Sequence, residues 1–176
     1  MHRIMIVDDE INVLNALRRM LVANGFEAEI FSNPGEALRR AQTANFDLVI
    51  SDYRMPDMDG IRFLKEMKRL QPDTMRLILS GHADLEGLIG AVNEAEVFRF
   101  ISKPWYDPDF IMCTRQALEY RDVLIENRRL ADTVRSQRAE LDLQRTALQK
   151  LESEYPELIK VNWAEDGSIM LGEDDA

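Results

Sequence analysis

Three features are scarce in this chain of 176 residues: cysteine, positive charge and long apolar runs. The single cysteine, Cys113, excludes an internal disulfide and fits a reducing compartment. The net charge of −10 argues against direct binding to nucleic acid, because contacts with phosphates require a positively charged face. The N-terminal residues lead straight into an apolar run that is too short to span a membrane or to act as a signal peptide. The sequence therefore predicts a cytoplasmic protein with no nucleic-acid or membrane partner.

Glycine and proline are also scarce, and neither occurs between Pro108 and Pro156. This run of about 47 residues without a helix breaker predicts one helix roughly 70 Å long, which exceeds the diameter of a small domain. A heptad pattern favours a coiled coil over a solvated helix that folds back on the domain. Position a takes Tyr120, Asn127, Val134, Leu141, Leu148 and Tyr155, and position d takes Val123, Leu130, Gln137, Gln144 and Leu151.

The heptads predict a coiled-coil helix over residues 121–155, continuous with the last helix of a domain over residues 1–120. An Asn at an a position can pair with its copy in a parallel two-stranded coil, so Asn127 favours a parallel homodimer through residues 120–155. Residues 156–176 carry half of the excess negative charge. Within them, Asp166-Gly167 between two apolar runs predicts a β-hairpin, followed by a disordered acidic end over residues 172–176.

Strand and helix patterns alternate five times in the first domain. Apolar, β-branched runs predict strands over residues 4–7, 26–31, 48–51, 75–79 and 97–101. Helical periodicity with capping residues predicts helices near residues 11–23, 34–41, 60–70 and 84–95, and from Pro108 onward. Strict alternation predicts an α/β fold with a doubly wound parallel sheet and helices on both faces.

Polar and charged side chains follow four of the five predicted strands. Asp8 and Asp9 follow the first strand, Asp52 the third, Ser80 the fourth and Lys103 the fifth. Because functional groups in open parallel sheets collect at the carboxyl ends of the strands, we expect these side chains to lie together. Neighbouring carboxylates repel by about 4 kcal/mol per pair at about 4 Å and an effective dielectric of about 20. A hard divalent cation such as Mg²⁺ removes that repulsion, so the sequence predicts a magnesium site.

The same group of side chains can perform phosphoryl chemistry. A carboxylate can act as a nucleophile toward phosphorus and form an acyl phosphate. Lys103 supplies a positive charge and Ser80 supplies a hydroxyl for the phosphoryl oxygens.

Four motifs in this order resemble the receiver domain of bacterial two-component response regulators. They are Asp8-Asp9-Glu10, Asp52 followed by Met55-Pro56 and Asp59-Gly60, Ser80-Gly81, and Lys103-Pro104. The resemblance covers about residues 2–120 and implies a (βα)5 sheet with strand order 2-1-3-4-5. It implies a response regulator that signals through altered dimer packing or partner binding. Residues 121–176 resemble no output domain, so the output protein stays unknown.

The resemblance implies that Asp52 accepts a phosphoryl group from a sensor histidine kinase in a Mg²⁺-dependent reaction. In the same way, Mg²⁺ would be held by Asp9, Asp52 and the backbone carbonyl of Arg54, while Asp8 would act through water.

The resemblance also assigns roles to residues near the fifth strand. Lys103 is expected to supply a positive charge to the phosphoryl oxygens and to be followed by a cis peptide bond before Pro104. Ser80 and the aromatic Phe100 are expected to form a pair that changes conformation on phosphorylation.

Two other functions remain open from the residues. Phosphatases of the haloacid dehalogenase type also use a nucleophilic Asp on a doubly wound sheet, with a second Asp two positions later. Arg54 occupies that position here, so the sequence favours a phospho-acceptor with at most slow autodephosphorylation over a hydrolase. A scaffold that takes no phosphate would be expected to lack an acidic residue or the lysine, and all are present.

The remaining candidate residues have structural interpretations. His2 is expected to be solvated at the N-terminus, Trp105 is expected to be a packing residue, and Cys113 is expected to lie in the core. His82 is expected to be a loop residue, with an alternative role in loss of the phosphoryl group.

Overall fold

A computed structural model of the protein describes residues 2–81, 95–155, 162–163 and 169–170. Five parallel strands form one sheet: β1 (Arg3–Val7), β2 (Glu27–Phe31), β3 (Leu48–Asp52), β4 (Met75–Ser80) and β5 (Arg99–Ser102). The helices are α1 (Ile11–Ala23), α2 (Pro34–Ala41), α3 (Gly60–Leu70) and α4 (Asp107–Glu154). The strand order is β2-β1-β3-β4-β5, which confirms the predicted doubly wound fold. The helix predicted near residues 84–95 lies, except for its last residue, outside the described residues.

Alternation along the buried strands divides the core between the two faces of the sheet. Ile4 and Ile6 of β1 pack in a cluster with side chains of α1 and α4. Met5 and Val7, which point to the opposite face, pack in a cluster with side chains of α2 and α3. Because both faces are covered, β1, β3 and β4 consist almost wholly of buried residues, as is typical of a parallel sheet.

Each of the five strands differs from the sequence prediction by one or two residues at an end, as β3 and β5 illustrate. β3 extends one residue further, to Asp52, because Asp52 pairs with Leu79 of β4. β5 begins at Arg99, two residues later than predicted, where pairing with Leu77 starts. Both shifts depend on the neighbouring strand, which a local pattern does not specify.

The chain divides into two compact units, residues 1–126 and 127–176. In the first unit, α4 contributes Phe110, Cys113, Ala117 and Leu118 to the core. In the second unit, every described residue from 127 to 155 is exposed. The seam residues Leu130, Val134, Leu141, Leu148 and Leu151 are 50–64% exposed. The predicted seam is therefore available to a partner helix as far as the described residues go.

Two short strands follow α4, namely β6 (Asn162–Trp163) and β7 (Ile169–Met170). They pair in antiparallel register, which confirms the predicted hairpin pairing. The predicted turn at Asp166-Gly167 and the acidic end over residues 172–176 lie outside the described residues. None of the described helices has the length and apolar character required to cross a membrane.

Candidate functional site

The register of the sheet places the predicted site residues together at the carboxyl ends of the strands. Val7 pairs with Ser51, so Asp8 and Asp52, the next residues along the two chain segments, lie side by side at the carboxyl ends of adjacent strands. Ser80 is the last residue of β4 and pairs with Ser102, directly before Lys103. The structure thus brings together the residues that the sequence placed at four separate strand ends.

Lys103 connects two buried carboxylates. Its Nζ lies 2.7 Å from Oδ1 of Asp52 and 2.8 Å from Oδ2 of Asp8. Asp8 is fully buried and Asp52 is 7% exposed, so the interactions form in a medium that screens charge less than water does. Burial alone would lower the pKa of Lys103, but the hydrogen bonds to Asp52 and Asp8 outweigh it and raise that pKa. Lys103 therefore stays positively charged at neutral pH.

Asp9 completes a group of three carboxylates. One oxygen from each of Asp8, Asp9 and Asp52 lies within 4.8 Å of the others, and Asp9 is exposed. Three carboxylate oxygens at this spacing suit a hard cation such as Mg²⁺, which prefers oxygen ligands and retains bound water. Arg54 lies in the loop after β3, two residues beyond Asp52, where its carbonyl was predicted to be a further ligand.

Ser80 is 1% exposed, and its Oγ has no hydrogen-bond partner among the described residues. A buried hydroxyl without a partner is uncommon and calls for an explanation. Binding of a phosphoryl oxygen would supply the missing partner. Phe100, the predicted conformational partner of Ser80, pairs with Ile78 across the sheet and is 46% exposed.

The peptide bond between Lys103 and Pro104 is cis, as the resemblance implied. Trp105 packs its ring 5.5 Å from that of Phe110, and Cys113 is buried, so both structural interpretations are confirmed. His2, which was expected to be solvated at the N-terminus, has a side chain that is 36% exposed. Its ring nitrogens lie 3.7 Å from Asp47 Oδ2 and 3.5 Å from Asp122 Oδ2, because the sheet and α4 bring those carboxylates to the N-terminus. His82 lies outside the described residues.

Gly60 has a role that the sequence interpretation missed. It was treated as the break that starts α3, but its backbone also packs directly against the backbone of Asp52. A Cβ at this position would collide with the carbonyl oxygen of Asp52 and lie 3.0 Å from Tyr53 Cα. The Gly60 N–H also donates to the Tyr53 carbonyl at 2.8 Å. Glycine is therefore required for the close approach that holds the loop beside Asp52.

We expect Gly60→Ala to lower the free energy of unfolding by about 1–3 kcal/mol, because the colliding atoms are backbone atoms that must shift. Chemical denaturation measures the change. Gly35→Ala in α2 is the control, since a Cβ there meets mainly the end of the Asn33 side chain. Equal stabilities for Gly60→Ala and the wild type would contradict the steric argument.

The electrostatic environment of the ionised Asp52 lowers the free energy of unfolding. Burial raises the pKa of Asp52, the charges of Asp8 and Asp9 raise it further, and Lys103 opposes them only in part. A carboxyl with a raised pKa in the folded state destabilises the fold at every pH above that pKa. This cost disappears where both the folded and the unfolded states are protonated.

Asp52→Asn should therefore raise the free energy of unfolding at pH 7, by on the order of 1 kcal/mol. The gain over wild type should shrink as the pH falls and vanish below the ordinary pKa of Asp, about 4. Urea denaturation in EDTA across this pH range measures both values. A variant that is less stable than wild type at pH 7, or a gain independent of pH, would refute this account.

Comparisons with known proteins agree with the geometry. Residues 4–115 match the family model described as the response regulator receiver domain. The hydrogenase transcriptional regulatory protein HoxA of Bradyrhizobium diazoefficiens is 34% identical over 116 residues, which are 66% of this chain and 24% of HoxA. The chain thus spans about a quarter of the length of the curated relatives it matches.

Solved structures give the same result. The receiver domain protein of Clostridium thermocellum superposes with a TM-score of 0.65 at 30% identity, covering 70% of this chain and 99% of that one. A CheY-like receiver domain protein of Methanospirillum hungatei gives a TM-score of 0.66 at 29% identity, covering 69% and 97% of the two chains.

Proposed function

Because this chain belongs to the response regulator receiver domain family, we propose that Asp52 accepts a phosphoryl group from a sensor histidine kinase. The observation that supports the proposal most directly is the position of Lys103, whose Nζ contacts both Asp52 and Asp8 at the carboxyl edge of the sheet. Receiver domains are Mg²⁺-dependent in general, and the group formed by Asp8, Asp9 and Asp52 fits that requirement.

In the proposed reaction, a carboxylate oxygen of Asp52 attacks the phosphorus of a phosphohistidine. The P–O bond to Asp52 forms while the P–N bond breaks, and the imidazole leaves with the electron pair. Lys103 and Ser80 stabilise the phosphoryl oxygens by a positive charge and a hydrogen bond, respectively. Asp9, Asp52 and the Arg54 carbonyl would hold Mg²⁺, with Asp8 acting through water, and the ion would supply charge that offsets the surrounding carboxylates.

Incubation with Mg²⁺ and acetyl phosphate tests the assignment. A response regulator should form a stable acyl phosphate, a phosphatase should turn the donor over, and a scaffold should do neither. Intact mass after quenching and the release of inorganic phosphate distinguish the three results. Turnover without a stable adduct, or the absence of both, would contradict the proposal.

We further propose that the protein works as a parallel homodimer through residues 120–155. The exposed seam of α4 supports this arrangement, as does the charge pattern beside it. Glu140 at a g position and Arg145 at the next e position attract each other in a parallel pair, although an exposed pair contributes less than about 1 kcal/mol. The signal would then reach an unidentified output protein through altered packing of two receivers.

Arg54 is proposed to control the lifetime of the acyl phosphate. Its long side chain emerges two residues after Asp52 and is exposed, so it can cover the phosphoryl group. We expect Arg54→Asn to shorten the lifetime severalfold, because a small amide leaves room for water and can orient it. Decay of the phosphorylated mass after donor removal measures the lifetime. Arg39→Asn, on α2, should change nothing, and an unchanged lifetime in Arg54→Asn would remove Arg54 from the mechanism.

A further inference from the structure

Glu10 is an acidic residue beside the site to which the proposed reaction assigns no role. It precedes α1, yet its side chain makes no capping hydrogen bond to that helix. Its backbone N–H donates to Oδ1 of Asp8 at 2.8 Å, which fixes its position relative to the buried carboxylate. Its Oε1 lies 3.9 Å from Nζ of Lys103.

Three carboxylates of the described residues contact Lys103, and Glu10 is the most exposed of them. Its side chain is 66% exposed, whereas those of Asp8 and Asp52 are 0% and 10% exposed. The inner two carboxylates hold the lysine in place, while Glu10 lies nearer to the solvent from which a phosphodonor arrives. Glu10 therefore adds negative charge along the path by which a donor reaches Asp52. It also partly neutralises the positive charge of Lys103, which would otherwise attract an anionic donor.

We propose that Glu10 makes the site selective among phosphodonors according to their charge. It disfavours small dianionic acyl phosphates relative to small donors of lower net charge, such as phosphoramidate. The inference rests on the proposed phosphorylation of Asp52 and adds the residue that limits which donors are used. The physical basis is that the work of bringing an anion toward a fixed negative charge grows with the charge of the anion.

Two small donors isolate this effect because they transfer the same group. Acetyl phosphate is a dianion at neutral pH, and its P–O bond breaks so that acetate leaves with the electron pair. Phosphoramidate is a monoanion because its nitrogen is protonated, and its P–N bond breaks so that ammonia leaves with the electron pair. In both reactions one bond forms between phosphorus and an oxygen of Asp52, and no further reactant is needed.

The experiment compares second-order rate constants for phosphorylation of wild type and Glu10→Gln with each donor, at saturating Mg²⁺. We expect Glu10→Gln to react about fourfold faster with acetyl phosphate and about twofold faster with phosphoramidate, since the logarithm of the gain scales with donor charge. Both gains should disappear near 1 M salt, where the screening length falls to about 3 Å. Trp105, which follows Lys103-Pro104, offers a fluorescence signal, and intact mass calibrates it.

Two variants serve as controls. Glu10→Asp keeps the charge and should keep the donor preference of the wild type. Glu36→Gln removes an exposed carboxylate that also lies 3.9 Å from a basic side chain, that of Arg39, but it is on α2 and should leave both rates unchanged. The Mg²⁺ affinity of each variant, measured by a fluorescence titration without donor, shows whether metal binding has changed.

The outcomes separate the inference from the proposed function. Equal rate changes for the two donors, or changes that persist at high salt, would overturn the role of Glu10 while leaving Asp52 as the acceptor. A wild-type protein that takes a phosphoryl group from neither donor would overturn the proposed function itself. Unequal gains that salt abolishes would support the selectivity.

Discussion

Asp52→Ala should abolish phosphorylation of the protein by any donor. In the wild type, intact mass after treatment with acetyl phosphate and Mg²⁺ should show one added phosphoryl group, and the variant should show none. The expectation follows from the environment of Asp52 at the end of β3. Its Oδ1 contacts Lys103 at 2.7 Å, which leaves Oδ2 as the oxygen that we expect to attack.

The neighbouring carboxylates are less suited to that role. Asp8 is fully buried, and its Oδ1 and Oδ2 accept from Glu10 N–H and Lys103 Nζ. Asp9 is exposed, and it is not among the described carboxylates that form an ion pair with Lys103. Within the group formed by Asp8, Asp9 and Asp52, Asp52 combines a 2.7 Å contact with Lys103 and partial access to solvent.

Asp57→Asn is a matched control for this experiment. Asp57 lies in the same loop, is exposed, and adopts a positive φ of 69°, a conformation that Asn tolerates as well as Asp. Phosphorylation should persist in this variant. A phosphoryl adduct that remains in Asp52→Ala, or that disappears in Asp57→Asn, would contradict the assignment of Asp52 as the acceptor. Circular dichroism of both variants verifies that the fold is retained.

Leu141→Lys combined with Leu148→Lys should convert the proposed dimer into a monomer. Both leucines are at a positions of the predicted heptads and are 64% and 59% exposed in the single chain. In a parallel pair each would face its copy, and their burial would supply much of the apolar contact area, at about 25 cal/mol per Å². Lysines at the same layers would place like charges opposite each other in a desolvated seam.

Light scattering at micromolar concentration measures the assembly state. Wild type should be a dimer with and without beryllofluoride, because we expect phosphorylation to change receiver packing rather than assembly. Leu143→Lys is the control, since Leu143 is 73% exposed at a c position outside the seam and should leave the dimer intact. A monomeric wild type would disprove the coiled coil, and a monomeric Leu143→Lys variant would place the interface on another face of α4.

The sequence predicted the architecture well because its signals are local. The capping residue before α2 is an example: the side chain of Asn33 accepts from the Glu36 N–H at 3.1 Å. Pro34 lies in the first turn, as its fixed φ and missing N–H allow. Such signals depend only on residues within one helical turn, so they can be recognised without knowledge of the rest of the chain. The strand termini that carry Asp8, Asp52 and Ser80 were found in the same way.

Contacts between distant segments could not be predicted in this way. His2 was expected to be solvated because it lies at the N-terminus, and its contacts with Asp47, just before β3, and with Asp122 of α4 were not anticipated. Gly60 was seen as a helix start, while its packing against Asp52 depends on how the loop returns to the strand end. Both features arise from segments that only the folded sheet brings together.

The sequence by itself therefore determined the alternation of strands and helices, the uninterrupted helix α4, and the residue types at each strand end. These follow from side-chain periodicity, capping and the absence of helix breakers, which act over a few residues. The tertiary structure alone decided that Lys103 would contact Asp8 and Asp52 directly, and that Glu10 would remain exposed while Asp8 was buried. The physical reason is that distances and burial at the site depend on strand register and on packing across both faces of the sheet, which no short stretch of sequence specifies.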